Sequence, residues 1–156
     1  HRTTQYNRDM TDDEPSLHIA GFRLWIDRYE RPDSNDEYDG NWLIGQLECI
    51  GNHAAVRLIP FSILVQDLIR WLDDCTRLST NQITAAKLEP LEPYLTVTID
   101  HSGEFNGLLA TFKITPDLLT QFHEFRFPID QSDLARLIES LRILLARFPL
   151  RGNPRR

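Results

Sequence analysis

Seven large apolar residues, Leu134, Leu137, Ile138, Leu141, Leu144, Leu145 and Phe148, recur at the spacing of one helix face. The stripe predicts a helix capped by Asp130 or Ser132 and stopped at Pro149. Asp130 and Asp133 lie at its positive end, Arg147 and Arg151 at its negative end. Such a stripe is stable only when another element covers it, so the chain must also supply a second layer.

That layer is visible as alternation. Leu95, Val97 and Ile99 alternate with Thr96, Thr98 and Asp100, the pattern of a half-buried strand. After the turn His101-Ser102-Gly103, Leu108, Ala110, Phe112 and Ile114 alternate back, Thr115-Pro116 interrupts, and Phe125 and Phe127 flank Arg126 in a last strand. Upstream, Leu17 and Ile19 keep one parity while Phe22, Leu24 and Ile26 keep the other. This change predicts a β-bulge at Ala20-Gly21, with Gly21 taking the special backbone angle. Arg31 to Gly40 is a polar loop rich in turn formers. A strand from about Asn41 to Ile50 follows, then a turn at Gly51-Asn52 and a hairpin partner from Ala54 to Ile59. Ser62 is placed to cap a helix bearing Leu64, Leu68, Trp71, Leu72 and Cys75. Two Glu-Pro steps between Lys87 and Pro93 force extended backbone.

Short turns join antiparallel neighbours. The expected fold is therefore α+β: a single domain with a mostly antiparallel sheet of about six or seven strands and two helices packed on one face. The domain is expected to span 16–151. Residues 1–15 are polar and acidic, and the only methionine is Met10, so they are expected to be a disordered or vector-derived segment. Residues 152–156 read as a tail.

The chain's 156 residues are 41% hydrophobic, enough for a core that buries about 70% of the unfolded surface. With 23 acidic against 17 basic residues, the net charge is −6, which argues against nucleic acid as the main partner. No apolar run reaches the roughly 18 residues of a membrane span, and no apolar secretory segment opens the chain, so a cytoplasmic protein is expected. Cys49 and Cys75 read as buried thiols, not a disulfide framework.

Chemistry-bearing motifs are few. His18, His53, His101 and His123 lack metal-ligand spacing with any cysteine or with one another. Asp100-His101-Ser102 has the residue types of a triad, but adjacent residues do not converge on one atom. Asn35, Glu37, Asp39 and Gly40 fit the start of a calcium loop, yet its twelfth position would be Gln46 in a strand. Neither catalytic residues, nor metal ligands, nor a cofactor are therefore expected. Acidity is instead concentrated early: 11 acidic residues precede residue 49, with only 5 arginines. Asp33, Asp36, Glu37 and Asp39, with Tyr38 as an aromatic anchor among them, are the candidate residues for binding a basic protein partner.

From about Leu17 to Arg151 the sequence resembles the WapI family of immunity proteins, which protect bacteria from toxins delivered by their neighbours. The likeness rests on Phe22-Arg-Leu-Trp-Ile26 and on Tyr38-Asp39-Gly40-Asn41-Trp42-Leu43, with an aspartate two residues before Asn-Trp-Leu. It continues through the helix Phe61 to Leu72, the glutamate-proline step Leu88 to Leu95, and the closing Arg147-Phe148-Pro149-Leu150-Arg151. The resemblance implies a cytoplasmic, non-catalytic protein that binds and blocks the cognate C-terminal toxin domain of a polymorphic effector, of the Rhs or wall-associated kind. Trp42 is expected under the helices, and Asn41 is expected to satisfy backbone at the loop exit. The other readings are a small ligand-binding or assembly module and an enzyme using carboxylates of the 27–39 region.

Overall fold

A computed structural model describes residues 14–152. Four strands form the first antiparallel sheet: β1 (Leu17–Ile19), β2 (Phe22–Tyr29), β3 (Trp42–Ile50) and β4 (Ala55–Leu64), in that order. Helix α1 (Val65–Ser79) follows. The second sheet is β5 (Ala85–Leu88), β6 (Leu95–Asp100), β7 (Leu108–Asp117) and β8 (Gln121–Ile129), again in chain order, and α2 (Gln131–Arg147) closes the domain. The chain thus runs the same course twice, a four-stranded meander and then a helix. Every strand pair is antiparallel, as short connections require.

The α+β class matches expectation, and the described strands number eight in two sheets where one sheet of six or seven was expected. Two local differences account for the number of strands. Ala20-Gly21 is a hairpin turn between β1 and β2, with Ile19 opposite Phe22, and not a bulge in one strand. The positive φ of 51° falls on Ala20. Glycine is needed at 21 for a different reason: a Cβ there would lie 2.0 Å from the Ile50 carbonyl oxygen. The other difference is β5, an edge strand of four residues that stops at Leu88, just before Glu89-Pro90 removes the donors a ladder needs.

Both helices and both sheets feed one continuous core. Phe22 of β2 stacks on Phe112 of β7 at 4.6 Å, joining the sheets. Helix α1 lies against β5 and α2, and α2 also lies against β1. The predicted stripe on α2 is buried from Leu134 through Phe148 except at Leu145, which packs half-buried at its margin. Asp130 is the cap: its carboxylate accepts from the Asp133 N–H at 2.8 Å, and the Asp133 carboxylate accepts from the Asp130 N–H at 2.9 Å.

Ser62 does not cap α1. Strand β4 continues through it to Leu64, which holds the cap position, and the buried Ser62 hydroxyl donates to Glu30 Oε1 at 3.3 Å. Thr115-Pro116 shifts the register of β7 but does not end it. Trp42 is half-buried and outside the shared core, whereas Trp71 of α1 is fully buried within it. Trp42 pairs in register with Leu64, the residue just before α1. The expectation for residues 1–15 falls mostly outside the described residues, as do residues 153–156.

Candidate functional site

The loop from Arg31 to Gly40 joins β2 to β3 and ends in a turn of 3-10 helix, Asp39–Asn41. Ten polar, turn-forming residues have little apolar surface with which to hold a shape, so the shape must come from hydrogen bonds. Some are internal. The Asp36 carboxylate accepts from the N–H groups of Tyr38 and Asp39 at 3.0 and 2.9 Å, and the Asp36 carbonyl accepts from Gly40 N–H at 2.9 Å. The Ser34 N–H donates to the Arg31 carbonyl at 3.2 Å.

The remaining bonds come from far away in sequence. The Arg151 guanidinium donates to the carbonyls of Gly40, Pro32 and Arg31, at 2.9, 2.9 and 2.8 Å. Asn41 is fully buried, and its Nδ2 donates to the Glu37 carbonyl at 2.6 Å and to the Arg151 carbonyl at 2.9 Å. Its Oδ1 accepts from Arg151 N–H at 2.8 Å. Gln66, in the first turn of α1, donates to the same Glu37 carbonyl at 3.1 Å. Arg151 is itself held from behind. Its guanidinium stacks on the Tyr29 ring at 3.7 Å, the Tyr29 hydroxyl donates to the Pro149 carbonyl at 2.6 Å, and Phe148 meets Tyr29 edge-on. Burial raises the Tyr29 pKa, and the nearby Arg151 charge opposes that rise. Gly152 presses on the loop with φ +84°, where a Cβ would lie 2.9 Å from the Asn35 carbonyl oxygen.

The five candidate residues lie together on this scaffold but do different work. Asp33, Asp36, Tyr38 and Asp39 are exposed, Tyr38 by 68%, and Glu37 is half-buried. Asp36 is committed to the loop's own backbone. Asp39 faces Arg31 at 3.6 Å in an exposed ion pair. The side chains of Asp33, Glu37 and Tyr38 make no hydrogen bond or ion pair among the described residues. Sequence reasoning placed Asn41 at the loop exit correctly but missed Arg151, Tyr29 and Gln66. The one signal for Arg151 was its place at the end of the Phe148-Pro149-Leu150-Arg151 motif.

Elsewhere, Asp100 accepts from the N–H of Ser102 at 2.9 Å and from its hydroxyl, which is the chemistry of a turn. Cys49 and Cys75 are free and buried, and burial pushes both thiols up to about 12, with Asp74 adding to the effect at Cys75. Among the described residues no group of three or more His, Cys, Asp or Glu side chains is placed to hold a metal ion. Asp67, Asp73, Asp74 and Glu89 line a groove between α1 and β5 together with Arg70 and Lys87, and Arg70 is bonded to Asp67. No helix among the described residues is long and apolar enough to cross a membrane.

In comparisons with known proteins, the model of the immunity protein WapI-like family matches residues 15–149. Arg151 lies just past the matched stretch. No curated protein and no solved structure matches the chain.

Proposed function

This chain belongs to the WapI-like family of immunity proteins, and on that premise we propose that it neutralises a toxin by stoichiometric binding. The partner is the C-terminal toxin domain of a cognate polymorphic toxin, of the Rhs or wall-associated kind, and the inhibitor acts in the cytoplasm without turnover of its own. The single observation that supports this best is the Arg31–Gly40 loop. It carries Asp33, Glu37 and Tyr38 with no side-chain bond to another described residue, on a backbone tied down at four carbonyls by Arg151 and Asn41. Acidic groups around an exposed tyrosine suit a partner whose functional surface is basic, as a nuclease's is. A net charge of −6 would favour encounter over long range. A specific interface would bury about 1,600 Å² in total.

The test is co-expression with the terminal domain of a toxin encoded immediately upstream. Rescue of growth and recovery of a one-to-one complex support the proposal. Continued killing, with the inhibitor soluble and folded, rejects it.

A further inference from the structure

Every side-chain bond that Arg151 and Asn41 make to the loop ends on a main-chain carbonyl: Arg31, Pro32, Glu37 and Gly40. Gln66 adds a second donor to the Glu37 carbonyl. None of these bonds depends on which side chain the accepting residue carries, because a carbonyl is common to all twenty. Within the loop only Ser34 and Asp36 use side chains to bond the backbone. Among the described residues the side chains of Asp33, Glu37 and Tyr38 supply no hydrogen bond or ion pair that holds the loop's form.

We propose that Arg151, stacked on Tyr29 and seated against Asn41, is a positioning residue that fixes the loop's form regardless of its outward side chains. Positions 33, 37 and 38 are then the ones that set which toxin this protein accepts. This inference rests on the toxin-binding reading and adds a division of labour to it. Shape is supplied by the C-terminal segment through the backbone, and selectivity by three replaceable side chains. Arginine is required for the shape. Its guanidinium reaches three carbonyls at once while lying over the ring, a set of contacts that a single ammonium does not make. A loop already held in its bound form avoids the ordering cost of association.

The test has two arms. The first uses the free protein and needs no toxin. Amide hydrogen exchange is followed at residues 33–40 in the wild type, Arg151→Lys, Tyr29→Leu and a triple variant, Asp33→Ser with Glu37→Gln and Tyr38→Ser. Exchange in the loop should quicken at least about tenfold in Arg151→Lys and Tyr29→Leu, while the amides of β6 and β7 stay protected. In the triple variant it should not change. Unchanged loop exchange in Arg151→Lys, or loss of protection in the triple variant, overturns the latch.

The second arm measures binding to the purified toxin domain that the rescue experiment identifies. The triple variant should bind at least about a hundredfold more weakly despite its protected loop. Arg151→Lys should bind more weakly only by the factor by which the ordered fraction of its loop falls, which is far less than the hundredfold of the triple variant. Wild-type affinity in the triple variant overturns the selectivity claim. Wild-type protein that binds no toxin overturns the underlying reading and the selectivity claim with it, and the exchange arm still decides the latch. Because Arg151→Lys keeps the charge, and Tyr29→Leu reaches the same contact from the other side, misfolding of either one leaves the other to decide.

Discussion

The Arg151 guanidinium carbon lies over the Tyr29 ring, 3.7 Å from its centroid, and so joins the segment after α2 to the last residue of β2. Next to this contact, the Tyr29 hydroxyl reaches the Pro149 carbonyl at 2.6 Å. The two ends of the acidic loop and the end of the closing helix therefore share one small junction.

Removing the parts of that junction should have separable costs. Tyr29→Phe keeps the ring and loses the hydroxyl bond, which should cost about 1 kcal/mol in urea unfolding. Tyr29→Leu also loses the stack. A double-mutant cycle between Tyr29→Leu and Arg151→Lys should show coupling of about 0.5–1 kcal/mol. Additive effects would mean that the stack contributes nothing.

Charge reversal should separate association from folding. Asp33→Lys with Glu37→Lys should leave the melting temperature unchanged, since neither side chain is bonded to another described residue. Association with the toxin domain should slow by about tenfold or more at low salt and lose most of its dependence on salt. Asp36→Ala should behave differently. It frees the Tyr38 and Asp39 N–H groups and should loosen the loop itself, seen as faster amide exchange there.

Helix α2 should transmit damage to the loop. Leu141 is fully buried, and Leu141→Ala should cost about 2–5 kcal/mol. That is a large part of the 5–15 kcal/mol of a typical domain. Amide protection in the loop should fall with it, because α2 carries Phe148 and Arg151 into place. Ile143, on the outer face of the same helix, is 63% exposed, and Ile143→Ala should change stability by less than about 0.5 kcal/mol.

The two thiols predict a loss of stability at alkaline pH. Burial keeps Cys49 and Cys75 protonated up to about 12, while unfolded thiols ionise near 8.5. The folded chain therefore binds protons that the unfolded chain has released, so stability is full below about pH 8.5 and falls as pH rises toward 12. Urea unfolding between pH 7 and 10.5 should show this fall, and Cys49→Ala with Cys75→Ala should reduce it. Thiol reagents should label the native protein slowly and the unfolded protein at once.

What was legible in the sequence was local. The α2 stripe and its Asp130 cap, and the alternation of β6 and β7, each arise within a few residues, and each is found where it was read. The start of α1 was misread because Ser62, a good cap by type, sits in a strand whose pairing with β3 runs on to Leu64. Tertiary pairing there outweighed local preference. The division into two sheets has no local mark, because a meander reads alike whether its strands join one sheet or two. Arg151 was hidden for another reason. It contacts carbonyls more than a hundred residues upstream, and carbonyls leave no trace in a sequence. The family resemblance came nearest, since two of its short motifs, Asn41-Trp42-Leu43 and the stretch ending in Arg151, are bonded to each other.

During synthesis the acidic loop leaves the ribosome more than a hundred residues before the arginine that shapes it. A nascent or prematurely terminated chain displays the same carboxylates but not their arrangement. The loop's arrangement thus arrives only once translation has passed Arg151, which makes the junction at Tyr29 a check that the segment after α2 has been made and seated.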